Sequence, residues 1–261
     1  IYLTEQKTVV VDGTYPHALE ANYPGLKEQI VALGDHIDTS IIKTNYDEIK
    51  ELLNRKKSHF NSAYCQINSA LCNLRAIYAP YERAIKSDKI TQLATSICNH
   101  IRTAYPIRRQ FSTSLTPDGF ITYKDNLEGK QIIALKASSL TITKKFLSTL
   151  QNMLCGFSAY HCSFEPELAE SLVVGRYAVI PYTDCVQPND VIELDTALKV
   201  AISEDEFIEE KKLYDKAVAL AVRHLSDARD CHKEVEKFYI AAMDFNAIDQ
   251  KTKWIESEIF G

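Results

Sequence analysis

Residues 60–81, FNSAYCQINSALCNLRAIYAPY, place Phe60, Tyr64, Ile67, Leu71, Leu74, Tyr78 and Tyr81 at alternating steps of four and three. That spacing keeps one apolar stripe on one side of an α-helix. Upstream, Ile42, Tyr46, Ile49 and Leu53 follow the same steps until Lys56 stands where an apolar residue is due. The two heptad runs therefore join through a stutter. Neither Gly nor Pro interrupts residues 39–79, and Pro80 marks the point where the helix is expected to kink or stop. The pattern predicts a long helix over 45–85.

A second pattern of the same kind lies near the other end. Ser203 followed by Glu206 reads as a capping box, and Glu204, Asp205, Glu209 and Glu210 set negative charge at the positive end of a helix dipole. Tyr214, Val218, Ala221, Leu225, Ala228, His232 and Val235 then repeat the four–three steps. A helix of this kind would run about 60 Å if straight, at ~1.5 Å per residue over ~40 residues. The reading that follows is mainly α, with an α+β element. It is an elongated bundle of two long antiparallel amphipathic helices carrying a small central α+β head. Domain limits fall at 1–106 for the N-terminal helical region, 107–203 for the head, and 204–261 for the C-terminal helix packing back on the first.

The head is read from local signals. Phe120–Lys124 and Gln131–Lys136 flank a polar loop and predict a β-hairpin. Residues 146–157 predict a helix ended by Gly156. Glu165-Pro166 predicts a short helical turn, residues 172–180 one buried strand containing Gly175, and residues 191–194 another strand. Before the first long helix, Thr8–Val11 reads as a short strand. Pro24 is placed to open a short helix with Leu26, Ile30 and Leu33 on one face. Ser87 or Asp88 caps a helix that Pro106 ends, and Ile248–Phe260 is a terminal helix.

Composition excludes several function classes. Eight glycines in 261 residues are too few for a phosphate-cradling loop or a turn-dense all-β fold. A net charge of −5 argues against a chain that coats nucleic acid. No apolar run is long enough to span a bilayer, and Ile1–Glu5 lacks a signal-peptide pattern. Seven scattered cysteines, an odd number, read as free thiols of a reducing, cytoplasmic compartment.

The titratable clusters are weak. Asp35-His36-x-Asp38 sits at a helix junction where such residues cap. Cys155, His161, Cys162 and Glu165 lack the paired short spacings of a zinc site. Arg229 and His232 are three apart with His232 on the apolar stripe, which reads as a core histidine. No catalytic, cofactor-binding or metal-ligating residue is assigned, and no cofactor is expected. The function expected is a non-enzymatic structural or protein–protein interaction component of a larger assembly, with self-association or a protein partner. Tyr46, Phe60, Tyr64, Tyr78 and Tyr81 are its contact surface. The alternative is nucleic-acid binding by a basic and aromatic patch of Tyr105, Arg108, Arg109, Phe111, Lys144 and Lys145. A third reading is a membrane-active, toxin-like helical protein, although binding at a membrane surface is not expected.

Overall fold

The computed structural model describes residues 1–14, 19–101, 106–122 and 127–261. In chain order the elements are β1 (Tyr2–Leu3), β2 (Thr8–Val9), α1 (Thr39–Thr44), α2 (Tyr46–Ala84), α3 (Ser87–His100), β3 (Arg108–Phe111), β4 (Thr113–Thr116), β5 (Gly119–Thr122) and β6 (Gln131–Lys136). They continue with α4 (Leu140–Gln151), β7 (Ser158–Cys162), β8 (Glu165–Val174), β9 (Tyr177–Pro181), β10 (Asp190–Glu193), α5 (Ile208–Ala242) and α6 (Phe245–Phe260). The chain divides into two compact units, one of residues 56–229 and one of residues 1–55 with 230–261.

The unit of residues 56–229 is organised by a six-stranded mixed sheet in the order β10-β6-β9-β8-β7-β3. Strands β10, β6 and β9 run parallel to one another, β7, β8 and β9 are antiparallel, and β3 lies parallel to β7 at the edge. The middle of β6, Ile132-Ile-Ala-Leu135, is buried on both faces, which suits an unbroken apolar run in a parallel pair. Ile133 and Leu135 pack toward Ile90, Ala94, Ile97 and Ile101 of α3 and Ile142, Phe146, Leu147 and Leu150 of α4. Ile132 faces the other way, with Ala178 and Ile180 of β9. Helix α4 starts where the Ser139 side chain accepts from the Thr141 N–H at 3.2 Å, satisfying one of the free donors of the first turn. A third cluster joins Ala70 of α2, Ala217 of α5 and Phe164.

The bundle expectation is therefore corrected. About half of the chain is helix and a fifth strand, and the principal core lies between a six-stranded sheet and helices α3 and α4. The chain is not a pair of antiparallel bundle helices with a small appended head. Several local readings change with it. Strand β5 pairs with β4, while β6 pairs with β9 and β10, so residues 120–124 and 131–136 form no hairpin with each other. Residues 123–126, the predicted hairpin's strand end and loop start, lie outside the described residues. The single strand expected over 172–180 is two, β8 and β9, joined at Gly175. Gly175 has φ +59°, a left-handed conformation that glycine takes without a Cβ penalty. Glu165-Pro166 opens β8 rather than a helical turn, Pro80 leaves α2 running on to Ala84, and residues 24–33 form no α-helix. Of the capping box before α5, Ser203 accepts from the Asp205 N–H, and the Glu206 side chain lies outside the described part.

The unit of residues 1–55 and 230–261 is built differently. Asp38 and Asp244 cap α1 and α6 with their carboxylates. The Asp38 N–H donates to the Ala242 carbonyl at 2.8 Å and the Asp244 N–H to the His36 carbonyl at 3.0 Å. These bonds join the chain ahead of α1 to the α5–α6 junction. Little apolar burial accompanies them. Ile49, Cys231, Val235 and Ala242 are its buried side chains among the described residues, and α6 buries none.

Candidate functional site

Two features stand out: a buried polar cluster in the sheet unit and an uncovered apolar surface in the other. The polar cluster centres on Lys144 of α4, which the helix turns inward along with Thr141 and Thr143. Its ammonium group donates to the Glu165 carboxylate at the start of β8. It also lies 3.5 Å from the Tyr78 hydroxyl of α2 and 5.1 Å from the centroid of that ring. The two charged side chains are only 6 % and 15 % exposed, so solvent screens the pair weakly. Burial pulls the Lys144 ammonium down, but Tyr78 and Glu165 more than offset it, and its pKa stands above the ordinary lysine value. Burial raises Tyr78, against the opposing charge of Lys144. Tyr214 of α5 is pushed up to about 12, chiefly by burial. With their pKa values raised, the Lys144 ammonium stays charged and the Tyr78 and Tyr214 phenols stay protonated at neutral pH. The Lys144 amine is therefore not a neutral nucleophile at neutral pH. The cluster ties α4 to β8 and to α2.

The sequence-assigned residues disperse. Of the aromatic contact surface, Tyr46 and Tyr64 are exposed at 57 % and 58 %, and Phe60 is half-buried. Tyr78 belongs to the Lys144 cluster, and Tyr81 is core, packed near Phe207. Of the basic patch, Arg108, Arg109 and Phe111 are exposed on edge strand β3 and Lys145 on α4. Lys144 is buried and ion-paired, and Tyr105 lies outside the described residues. His161 is buried on β7; burial first, and Arg109 second, hold its imidazole below the ordinary value, so it is neutral. Asp38 is a helix cap whose pKa is lowered by the hydroxyl and N–H of Ser40. The core reading of His232 is corrected: its side chain is 49 % exposed, 3.3 Å from Glu236.

The feature missing from the sequence reading is the N-terminal surface. None of the described residues from 1 to 48 is buried. Ile1, Tyr2, Val9, Val10, Val11, Leu19, Tyr23, Leu26, Ile30 and Leu33 are all exposed, Leu26 at 87 % and Ile30 at 73 %. Single exposed apolar residues are ordinary, but ten within residues 1–33 are more than isolated exposure. Leu26, Ile30 and Leu33 follow a helical period in the sequence, yet no α-helix forms over them and their side chains stay exposed. Residues 1–38 also carry six acidic residues against two lysines.

Fold and surfaces together define an α+β protein with a mixed-sheet unit and a poorly buried, apolar-faced second unit. No protein-family model, curated protein or solved structure matches the chain. Among the described helices, none is long and apolar enough to cross a membrane.

Proposed function

We propose that this chain is a non-enzymatic protein–protein interaction component that assembles with a second copy of itself through the unit of residues 1–55 and 230–261. One observation carries the reading. That unit buries only Ile49, Cys231, Val235 and Ala242 among its described side chains, while its N-terminal stretch exposes at least ten apolar ones. Four buried side chains do not supply the apolar burial that offsets the ordering of a chain segment this long. A second copy supplies both missing parts, further apolar surface and complementary charge. Residues 1–38 are acidic, and Lys43, Lys50 and Arg55 follow in the same unit, interleaved with Asp47, Glu48 and Glu51. Seven unpaired cysteines support a reducing, cytoplasmic compartment for the assembly.

The test is absolute mass by light scattering at two concentrations and two salt levels, on the wild type and on Leu26→Ser/Ile30→Ser. Both residues are exposed, so the double substitution leaves thermal stability within about 0.5 kcal/mol per site. The wild type is expected to self-associate, more weakly in high salt, and the variant to run as a monomer. A wild type that stays monomeric at the higher concentration overturns the proposal. The nucleic-acid alternative rests on Arg108, Arg109 and Phe111, all exposed along the β3 edge. It predicts salt-sensitive binding of single-stranded oligonucleotides that Arg108→Ala/Arg109→Ala abolishes.

A further inference from the structure

In the unit of residues 56–229, His59 of α2 lies beside His224 and Asp227 of α5, partners separated by some 165 positions in the chain. One ligand atom from each of the three side chains lies within 4.8 Å of the other two. The His59 Nδ1 to Asp227 Oδ2 distance is 3.6 Å, and the two imidazole centroids are 5.8 Å apart. His224 and Asp227 are three residues apart on one helix, so both side chains project from the same face. Ala63, Ala221 and Ala228 are fully buried at helical spacing from the two histidines. Small residues there leave room for imidazoles between the helices. The Nδ1 of His224 is buried and has no hydrogen-bond partner among the described residues. Leaving such an atom unsatisfied costs its desolvation, so a native structure that keeps one has a reason to.

We propose that His59, His224 and Asp227 bind a divalent transition-metal ion of the zinc class. Two imidazoles and a carboxylate are borderline ligands suited to Zn²⁺, Co²⁺ or Ni²⁺. Ligand atoms ~2.0–2.1 Å from a tetrahedral zinc stand about 3.3 Å apart. The His59–Asp227 distance is already close to that, and the remaining separations, none above 4.8 Å, close by side-chain movement of up to about 1.5 Å. All three side chains are half-buried, so an ion is reachable from solvent and its fourth position stays open to water or an added ligand. The competing reading, an ion pair of His59 with Asp227 beside a tilted His224 ring, leaves the His224 nitrogen unexplained and gives no stoichiometric metal response.

The experiment uses the full chain without a polyhistidine tag, stripped with chelator, and titrated with Co²⁺ while visible absorption is read. The expected result is one Co²⁺ per chain, with ligand-field bands of a four- or five-coordinate ion and no thiolate charge-transfer band. Zn²⁺ displaces it and raises the melting temperature. Asp227→Asn keeps the side-chain size and His224→Ala removes the orphaned ring. Each is expected to weaken Co²⁺ binding at least about 100-fold, beyond what losing an outer-shell partner causes, with helical circular dichroism checking the fold. Absence of the bands in the wild type, unchanged binding in a folded Asp227→Asn protein, or a thiolate band that implicates the cysteines each overturns the proposal.

Discussion

Replacing Glu165 with Met removes the counter-charge of a lysine that cannot reach water. The Lys144 side chain is 6 % exposed and sits between α4, β8 and Tyr78. An ammonium stranded there costs about 3–5 kcal/mol, the usual penalty for breaking a buried pair by removing one partner. At ~2–4 °C per kcal/mol for a unit of this size, the melting temperature falls by about 6–20 °C. The double replacement Lys144→Met/Glu165→Met removes both charges and keeps the volume. It is expected to recover most of the loss, because well-packed apolar replacements of a buried pair are often neutral or stabilising. The assay is urea unfolding of the wild type, both single variants and the double, followed by helical circular dichroism and closed as a thermodynamic cycle. The pH dependence has a definite sign. The folded pKa of Lys144 is raised above its ordinary 10.5. Its stabilisation is therefore full below that value and is lost as pH rises through the folded pKa. A Glu165→Met loss under about 1 kcal/mol, or additive single variants, would refute the reasoning.

Other substitutions probe the sheet unit. Phe146 is fully buried between α4 and the sheet, so Phe146→Ala is expected to cost about 3–5 kcal/mol in the same denaturant assay. Ala70 is fully buried in the cluster with Ala217 and Phe164, and Ala70→Leu overpacks it at a cost of about 1–3 kcal/mol. Tyr214 ionises near 12 when folded against an ordinary 10, so the unfolded chain loses its proton first. Stability is therefore full below about 10 and falls as pH rises toward 12, and Tyr214→Phe flattens the melting temperature over that window.

Local periodicity was legible where it was long. The four–three steps of residues 42–81 and 214–235 fall on helices α1, α2 and α5, whereas the helix expected over 146–157 runs over Leu140–Gln151 instead, started by the Ser139 cap. What those helices pack against was not legible, because an apolar stripe states that a face is buried without stating by what. The strands failed for the same reason. Residues 119–122 and 131–136 look like neighbours, yet the former closes back on β4 through the tight turn at Pro117-Asp118, and the latter takes partners some fifty residues on. Gly175 was read as a strand residue because the apolar run continues on both sides; its positive φ makes it the reversal. Lys144 adjoins Lys145 in sequence and reads as half of a basic pair, but their directions differ by one helical step, which separates a buried ammonium from an exposed one. The His59, His224 and Asp227 cluster joins residues from two helices with no motif spacing, and only tertiary structure brings them together.

The proposal of a self-assembling surface meets its most direct test in amide hydrogen exchange of residues 1–38 on samples of known mass, from dilute to concentrated. The expected result is slow exchange in the associated species and fast exchange on dilution to the monomer, with the β6–β9 strands protected throughout. Slow exchange of the stretch in the dilute monomer would contradict the account, because the chain would then be covering that surface by itself. Fast exchange at every concentration would contradict it equally, because no second copy would be covering it.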